Sequence, residues 1–204
     1  MVETMLGDDE RRLVNDIRRT VILHDYISHW GQPISRTLCS NKNSQVDVEV
    51  YEFSSKEDGV YRLATIGISG QVLEGGSLAN WEFLLSLPAE WEKEETSEVV
   101  NYLLDIMAYS LRPDVEVKVG NTIPETSLAP ASWTTKAVLF DEPRGEPEDM
   151  SSFKVGDQVV DLIWLVPITE KERQLIKDSG IEEFDKWEAH SDSSLIDVKR
   201  MSIV

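Results

Sequence analysis

The sequence predicts an α+β fold, one domain built on a central mixed, largely antiparallel sheet flanked by helices. Three observations lead there. About six or seven segments carry strand signatures, about four carry helical periodicity, and the strands are mostly joined by turns rather than by regular crossover helices. No internal repeat or sharp change of composition divides the 204 residues, and 41% of them are hydrophobic, enough to bury a core as a single unit.

Taken in order, residues 1–9 are read as a flexible N-terminus, and Asp8 or Asp9 caps a first helix. In that helix Leu13, Ile17 and Val21 recur every four residues, and Gly31 supplies a stop after Trp30. The opposite face carries Arg11, Arg12, Arg18 and Arg19, which reads as a solvated helix face. Residues 46–53 alternate valines with acids, the pattern of a strand with one dry face and one acidic, wet face. Residues 56–59 form a turn by composition, and 61–69 alternate again, so a hairpin is expected. After the glycine-bearing stretch 74–77, a strand over 79–87 ends at Pro88.

Val100, Leu103, Leu104, Met107 and Leu111 define an amphipathic helix stopped by Pro113. Residues 115–119 alternate valine with charge and read as a strand, and Gly120-Asn121 begins an irregular turn to Pro124. Residues 126–130 read as loop and 133–140 as strand. Residues 141–158 combine Pro, Gly and acids without periodicity, which reads as a mobile acidic loop. The apolar run 159–166, closed by Pro167, suits a central strand covered on both faces, with Leu162 and Trp164 buried. Thr169 and Glu172 make a capping box for a helix through Leu175 and Ile176 to Gly180. A second short helix places Ile181, Phe184 and Trp187 at helical spacing. Trp81, Trp91, Trp133, Trp164 and Trp187 read as core or core-rim anchors, because each lies in or beside an apolar run.

Thirty-eight acids against 20 bases give a formal charge of -18. That charge opposes binding to nucleic acid or anionic lipid through a broad surface and attracts cationic partners. It is unevenly placed. Residues 1–40 hold six acids and five bases, a net of -1, so nearly all of it lies after Lys42. The single cysteine, Cys39, excludes an internal disulfide and a Cys-cluster zinc site and fits a reducing compartment. The N-terminus lacks a secretory pattern, and no stretch approaches the roughly 20 apolar residues of a membrane span. A cytoplasmic location is expected.

Enzyme chemistry finds little support. His24 and His29 lie about 140° apart around a helix, too far round to share a metal. His190 is the remaining histidine. Cys39 has the character of a small apolar group unless a histidine lies beside it. There is no G-x-S-x-G elbow, P-loop, dinucleotide fingerprint or H-E-x-x-H. No catalytic residue, metal or cofactor is therefore expected. The residues assigned to partner binding are the acids of two segments without compensating lysines, Glu90, Glu92, Glu94 and Glu95, and Asp141, Glu142, Glu146, Glu148 and Asp149. Asp47 and Glu49 on the alternating strand are a second choice.

Several short motifs carry a resemblance. Val166-Pro167-Ile168-Thr169-Glu170 precedes a charged helix ending at Gly180 and a second helix, Phe83-Leu84-Leu85-Ser86-Leu87-Pro88 comes before Trp91, and Gly120-Asn121-Thr122-Ile123-Pro124 forms a turn. In this order and spacing, from about residue 13 to the end, they resemble the bacterial Suppressor-of-fused domain family. The tail Asp197-Val198-Lys199-Arg200 departs from the Asp-Pro-x-Arg-like step frequent in that family. The resemblance implies a central mixed sheet flanked by helices. It also implies an immunity protein or antitoxin that neutralises a cognate cationic toxin, often a nuclease, by direct binding. A regulator or scaffold sequestering a different protein, as eukaryotic members do with a transcription factor, is the alternative reading. An unrecognised hydrolase is the third, because a pocket on a fold without motifs leaves no trace in one sequence.

Overall fold

The computed structural model describes residues 8–39, 47–54, 57–91 and 96–204. Helix α1 (Asp8–Trp30) precedes β1 (Ser35–Cys39), β2 (Val48–Ser54), β3 (Val60–Ile66) and β4 (Trp81–Pro88). Helix α2 (Thr96–Ser110) is followed by β5 (Thr122–Ile123), β6 (Ala137–Asp141), β7 (Ser152–Val155) and β8 (Gln158–Ile168), and then by α3 (Glu170–Ser179) and α4 (Ile181–Glu188). Among the described residues eight strands form one sheet of order β1-β2-β3-β4-β8-β6-β5, with β7 paired to β8 off this path. Strands β1 to β4 are an antiparallel meander. Strand β8 runs parallel to β4 and antiparallel to both β7 and β6. The expected mixed, largely antiparallel sheet flanked by four helices is what forms.

Strand β8 explains its own composition. Leu162, Trp164 and Val166 enter a core beneath α1, α3 and α4, with Ile22, Tyr26, Phe153, Ile176 and Phe184. Ile163 and Leu165 enter a second core on the α2 side, with Phe83, Leu85, Val99, Tyr102, Leu103, Ile106 and Trp133. Residues that alternate between two dry faces must all be apolar, hence the unbroken run. Pro167 does not close it. It sits in register with Val138, its carbonyl accepts from Arg200, and the strand continues to Ile168. Beyond Trp164 the β4 pairing has ended, so the missing proline N–H costs no ladder bond on that side.

Burial of both faces also overturns the wet strand face. Glu49 and Glu52 of β2 are each 7% exposed. Glu52 accepts from Ser35 Oγ at 2.5 Å and from the Tyr61 hydroxyl. On β4, Glu82 is wholly buried and accepts from Thr65 Oγ1 (2.8 Å), Ser69 Oγ (2.7 Å) and the backbone N–H groups of Gly67, Ile68 and Ser69. Gly67 closes that nest at φ 114°, where a Cβ would meet the Asp47 carbonyl at 2.5 Å.

Other expectations are corrected. Leu13 and Ile17 face outward at 60% and 49% exposure, while the inward stripe of α1 is Arg18, Ile22 and Tyr26. Arg18 is no solvated arginine. Its stem lies against the sheet, and its guanidinium donates to Gln158 Oε1 at 2.6 Å and Asn15 Oδ1 at 3.4 Å. Residues 115–119 form no strand, because β6 ends at Asp141. Its last pairing to this segment is a bulge in which Gly120, at φ 90°, and Asn121 share Phe140. Residues 141–158 are not simply loop. They hold a 3-10 turn (Glu148–Ser151) and β7, whose buried Phe153 and Val155 alternate with exposed Lys154 and lead through the two-residue turn Gly156-Asp157 into β8. The strand expected over 133–140 is confined to β6, and Trp187 is 48% exposed because Phe184 takes the inward position of α4.

The capping box of α3 forms as read, and tertiary structure adds to it. Thr169 Oγ1 accepts from Glu172 N, and Glu172 accepts from Thr169 N. The same carboxylate, fully buried, binds the guanidinium of Arg200 and the N–H of Ile203 at 2.9 Å. The tail is thereby tied to the start of α3, and Val198 fills the α2-side core.

Two stability changes are expected. Truncating Trp164 to Ala should cost about 3–5 kcal/mol in urea unfolding, the range for a large aromatic residue in a core, whereas a loss under about 1 kcal/mol would be a surface outcome. Replacing Arg200 with Met strands the buried Glu172 carboxylate and should cost about 3–5 kcal/mol. The further change Glu172→Gln should recover part of that loss, and the two effects being simply additive would show that the pair is not coupled.

Candidate partner-binding surface

The acidic segment after β6 is anchored from within, and the anchoring sorts its carboxylates. Asp141 ends β6 at 2% exposure with Arg144 Nε 2.7 Å from Oδ2. Burial pushes its carboxyl above the usual range, with Arg144 opposing that shift. Glu146 is held by Arg62 Nε and Trp30 Nε1, each at 2.7 Å, and Arg62 lies over the Trp30 ring. These two acids are therefore structural, which corrects their assignment to the partner surface. The reason is location: Asp141 is met by Arg144 three residues on, and Glu146 by a cation from β3 and an N–H donor from α1.

Glu142, Glu148 and Asp149 do face solvent. Asp149 lies 3.3 Å from His29 Nε2, whose Nδ1 is 2.9 Å from the Asp25 carbonyl. The backbone bond to Asp25 and the nearby Asp149 raise the His29 pKa against a smaller effect of burial. Glu90 is exposed in the turn after β4, and Glu92, Glu94 and Glu95 lie outside the described residues. Of the second-choice pair, Asp47 is exposed and Glu49 is not.

The fold adds acids that sequence proximity did not suggest. Arg144 donates to Asp185 Oδ1 of α4 at 2.6 Å and lies 3.9 Å from Glu188. Segment 142–149 and the outer side of α4 thus form one surface, around an arginine occupied with Asp141 and Asp185. Elsewhere too, the arginines are spent internally: Arg19 and Arg36 on Glu49, Arg62 on Glu146 and Asp58, Arg173 on Glu170, and Arg200 on Glu172.

A cleft of about 500 Å³ lies at the β5 end of the sheet, between the C-terminal end of α2, the 114–124 segment and α3. Phe140 and Ile176 line its floor, and Tyr109, Glu116, Asn121, Arg173 and Lys177 contribute polar groups. Asn121 is held by Glu116, and Arg173 is held by Glu170. Among the described residues no three His, Cys, Asp or Glu side chains gather as a metal set. Cys39 is half-buried at the end of β1 with its thiol pKa pushed up by burial, the opposite of an activated nucleophile.

The fold is shared with solved structures at low identity. A putative SUFU (suppressor of fused protein) homolog from Neisseria gonorrhoeae FA 1090 superposes with a TM-score of 0.70 at 18% identity, over 93% of this chain and 97% of that one. A chain of the Sufu–Fu complex superposes at 0.67 and 12% identity, over 91% of each. Drosophila Suppressor of Fused does so at 0.66 and 14%, over 89% of this chain and 49% of that one. Among curated proteins, none matches this chain in sequence. The family model described as Suppressor of fused protein (SUFU) matches residues 43–201, from β2 through the Arg200 that locks the tail, and the chain belongs to that family.

Proposed function

We propose that this protein is a non-catalytic binding protein that acts as an immunity protein or antitoxin in the cytoplasm, neutralising a cognate cationic toxin of the nuclease type by occupying its basic surface. The observation that carries the reading is the distribution of charge. The arginines lie largely inside ion pairs, while Glu142, Glu148 and, on α4, Glu182 face outward near an already occupied Arg144. A nuclease presents a basic surface to phosphate, and an acidic surface of this kind steers fast encounter with it. The partner-binding residues in this reading are Glu90, Glu92, Glu94, Glu95, Glu142, Glu148 and Asp149, now joined by Glu182 and Glu188. Family membership fits a binding role. A regulatory or scaffolding role toward a protein other than a toxin is the second reading, favoured by the similar fold having been solved as a Sufu–Fu complex.

Co-purification with the product of the neighbouring gene tests the first reading. Capture of a basic, toxic protein supports it, and capture of a non-toxic regulator supports the second. With the partner in hand, Glu142→Gln, Glu148→Gln and Asp149→Asn together should slow association several-fold at low salt and leave dissociation nearly unchanged, as rim charges do. Added salt should erase the difference. Equal association rates at every ionic strength would sink the acidic-surface proposal. The pure protein should turn over no generic ester, phosphoester or peptide substrate, and turnover abolished by changing Cys39 or a histidine would overturn the non-catalytic assignment.

A further inference from the structure

The opposite end of the sheet has a different character. Among the described residues β1 pairs with β2 alone, so its outer edge presents backbone donors and acceptors that the sheet does not use. Its side chains alternate. Arg36 and Leu38 stand opposite Tyr51 and Glu49, on the side covered by α1, and Cys39 packs toward the α2-side core. Leu38 is 52% exposed and the adjoining Ile34 is 48% exposed.

Between these two apolar side chains lies a pair of arginines. Arg36 binds Glu49 through Nε (2.9 Å) and Nη2 (2.7 Å). Arg19, reaching over from α1, binds the same carboxylate through Nε (3.0 Å) and the Tyr51 hydroxyl through Nη2 (3.1 Å). Two guanidinium groups on one carboxylate leave a positive charge in excess. Both side chains remain well exposed, at 41% and 45%, while that of Glu49 is at 9%. Residues 1–40 are close to neutral, six acids against five bases, where the whole chain carries -18, and the positive charge of this corner is local, two exposed guanidinium groups over a single carboxylate.

We propose that the β1 edge, with Arg19 and Arg36, is a docking site for an acidic, extended polypeptide segment that adds as a further strand beside β1. Backbone pairing along the edge supplies affinity without demanding sequence, and alternate side chains of the incoming strand supply selectivity. Its carboxylates meet the outward donors of the two guanidinium groups, a geometry that arginine serves better than lysine. Its apolar positions cover Ile34 and Leu38. Nucleic acid is disfavoured because the rest of the molecule repels a polyanion as long as a duplex and because an exposed strand edge is complementary to peptide backbone. This site is independent of the acidic surface around Arg144 and takes a partner of opposite charge.

The test is an NMR titration of the isotope-labelled full chain with the peptide Ac-Glu-Val-Thr-Glu-Thr-Val-Glu-NH2, which sets Val, Glu and Val on one face of a strand, with its Lys-for-Glu counterpart and with oligothymidylate. The acidic peptide should give saturable shifts confined to the amides of residues 34–39 and to the Arg19 and Arg36 side chains, and the other two probes should not. Arg36→Gln should weaken binding, but it also loosens Glu49 and can unfold the corner. Ile34→Glu, on an exposed position out of register with Glu49, should therefore weaken binding about tenfold by like-charge repulsion. Absence of saturable shifts, shifts mapping elsewhere, equal binding of the Lys peptide, tighter binding of oligothymidylate at the same amides, or an unchanged affinity in Ile34→Glu would each overturn the proposal.

Discussion

Where the sheet is packed on both faces it has no wet side, and acids buried on it or against its helices must find donors within the protein. That constraint organises much of this molecule. Glu49 draws Arg19 from α1 and Arg36 from β1 onto β2. Glu82 gathers three backbone N–H groups and two hydroxyls at the bend after β3. Glu172 joins the start of α3 to the tail through Arg200. A buried carboxylate left without such partners would destabilise the fold by several kcal/mol, roughly as much as a core truncation. Each of these contacts is therefore as necessary to the architecture as the aliphatic packing around it.

The same constraint shapes the surface. Arginines drawn inward to match buried acids are not available to balance outer ones, so Glu142, Glu148 and Glu182 stand at the surface without a paired arginine among the described residues. Asp141 and Glu146 show the sorting most clearly: adjoining acids in sequence divide between anchoring and exposure according to which of them can reach Arg144, Arg62 or Trp30. The β1 corner shows the converse. There two arginines serve one acid, and the positive remainder lies beside the open edge of the sheet.

Membership of the Suppressor of fused family rests on the sequence pattern over residues 43–201, whereas the solved structures, at 12–18% identity, share the backbone arrangement. Such a fold supports many surfaces, and function resides in the surface. The reading as a neutraliser of a cationic partner therefore rests on the charge distribution of this chain rather than on the fold.

The sequence by itself determined the elements whose signals are local. The capping box of Thr169 and Glu172, the apolar run of β8, the amphipathic stripe of α2 and the β2–β3 hairpin all rest on residues within one or two turns of each other, and all form. Tertiary structure decided what depends on a distant partner. The four-residue spacing of Leu13, Ile17 and Val21 is a real pattern, yet the sheet selected the stripe of Arg18, Ile22 and Tyr26, because only there do a long aliphatic stem and an aromatic ring meet the β-strands below. Valines 115 to 119 alternate as a strand does, but a strand needs a neighbour, and β6 had already ended. Glu49 looks solvated in the alternating pattern of β2, and only the placement of α1 over that face, with Arg19 thirty residues away in sequence, turns it into a buried ionic contact.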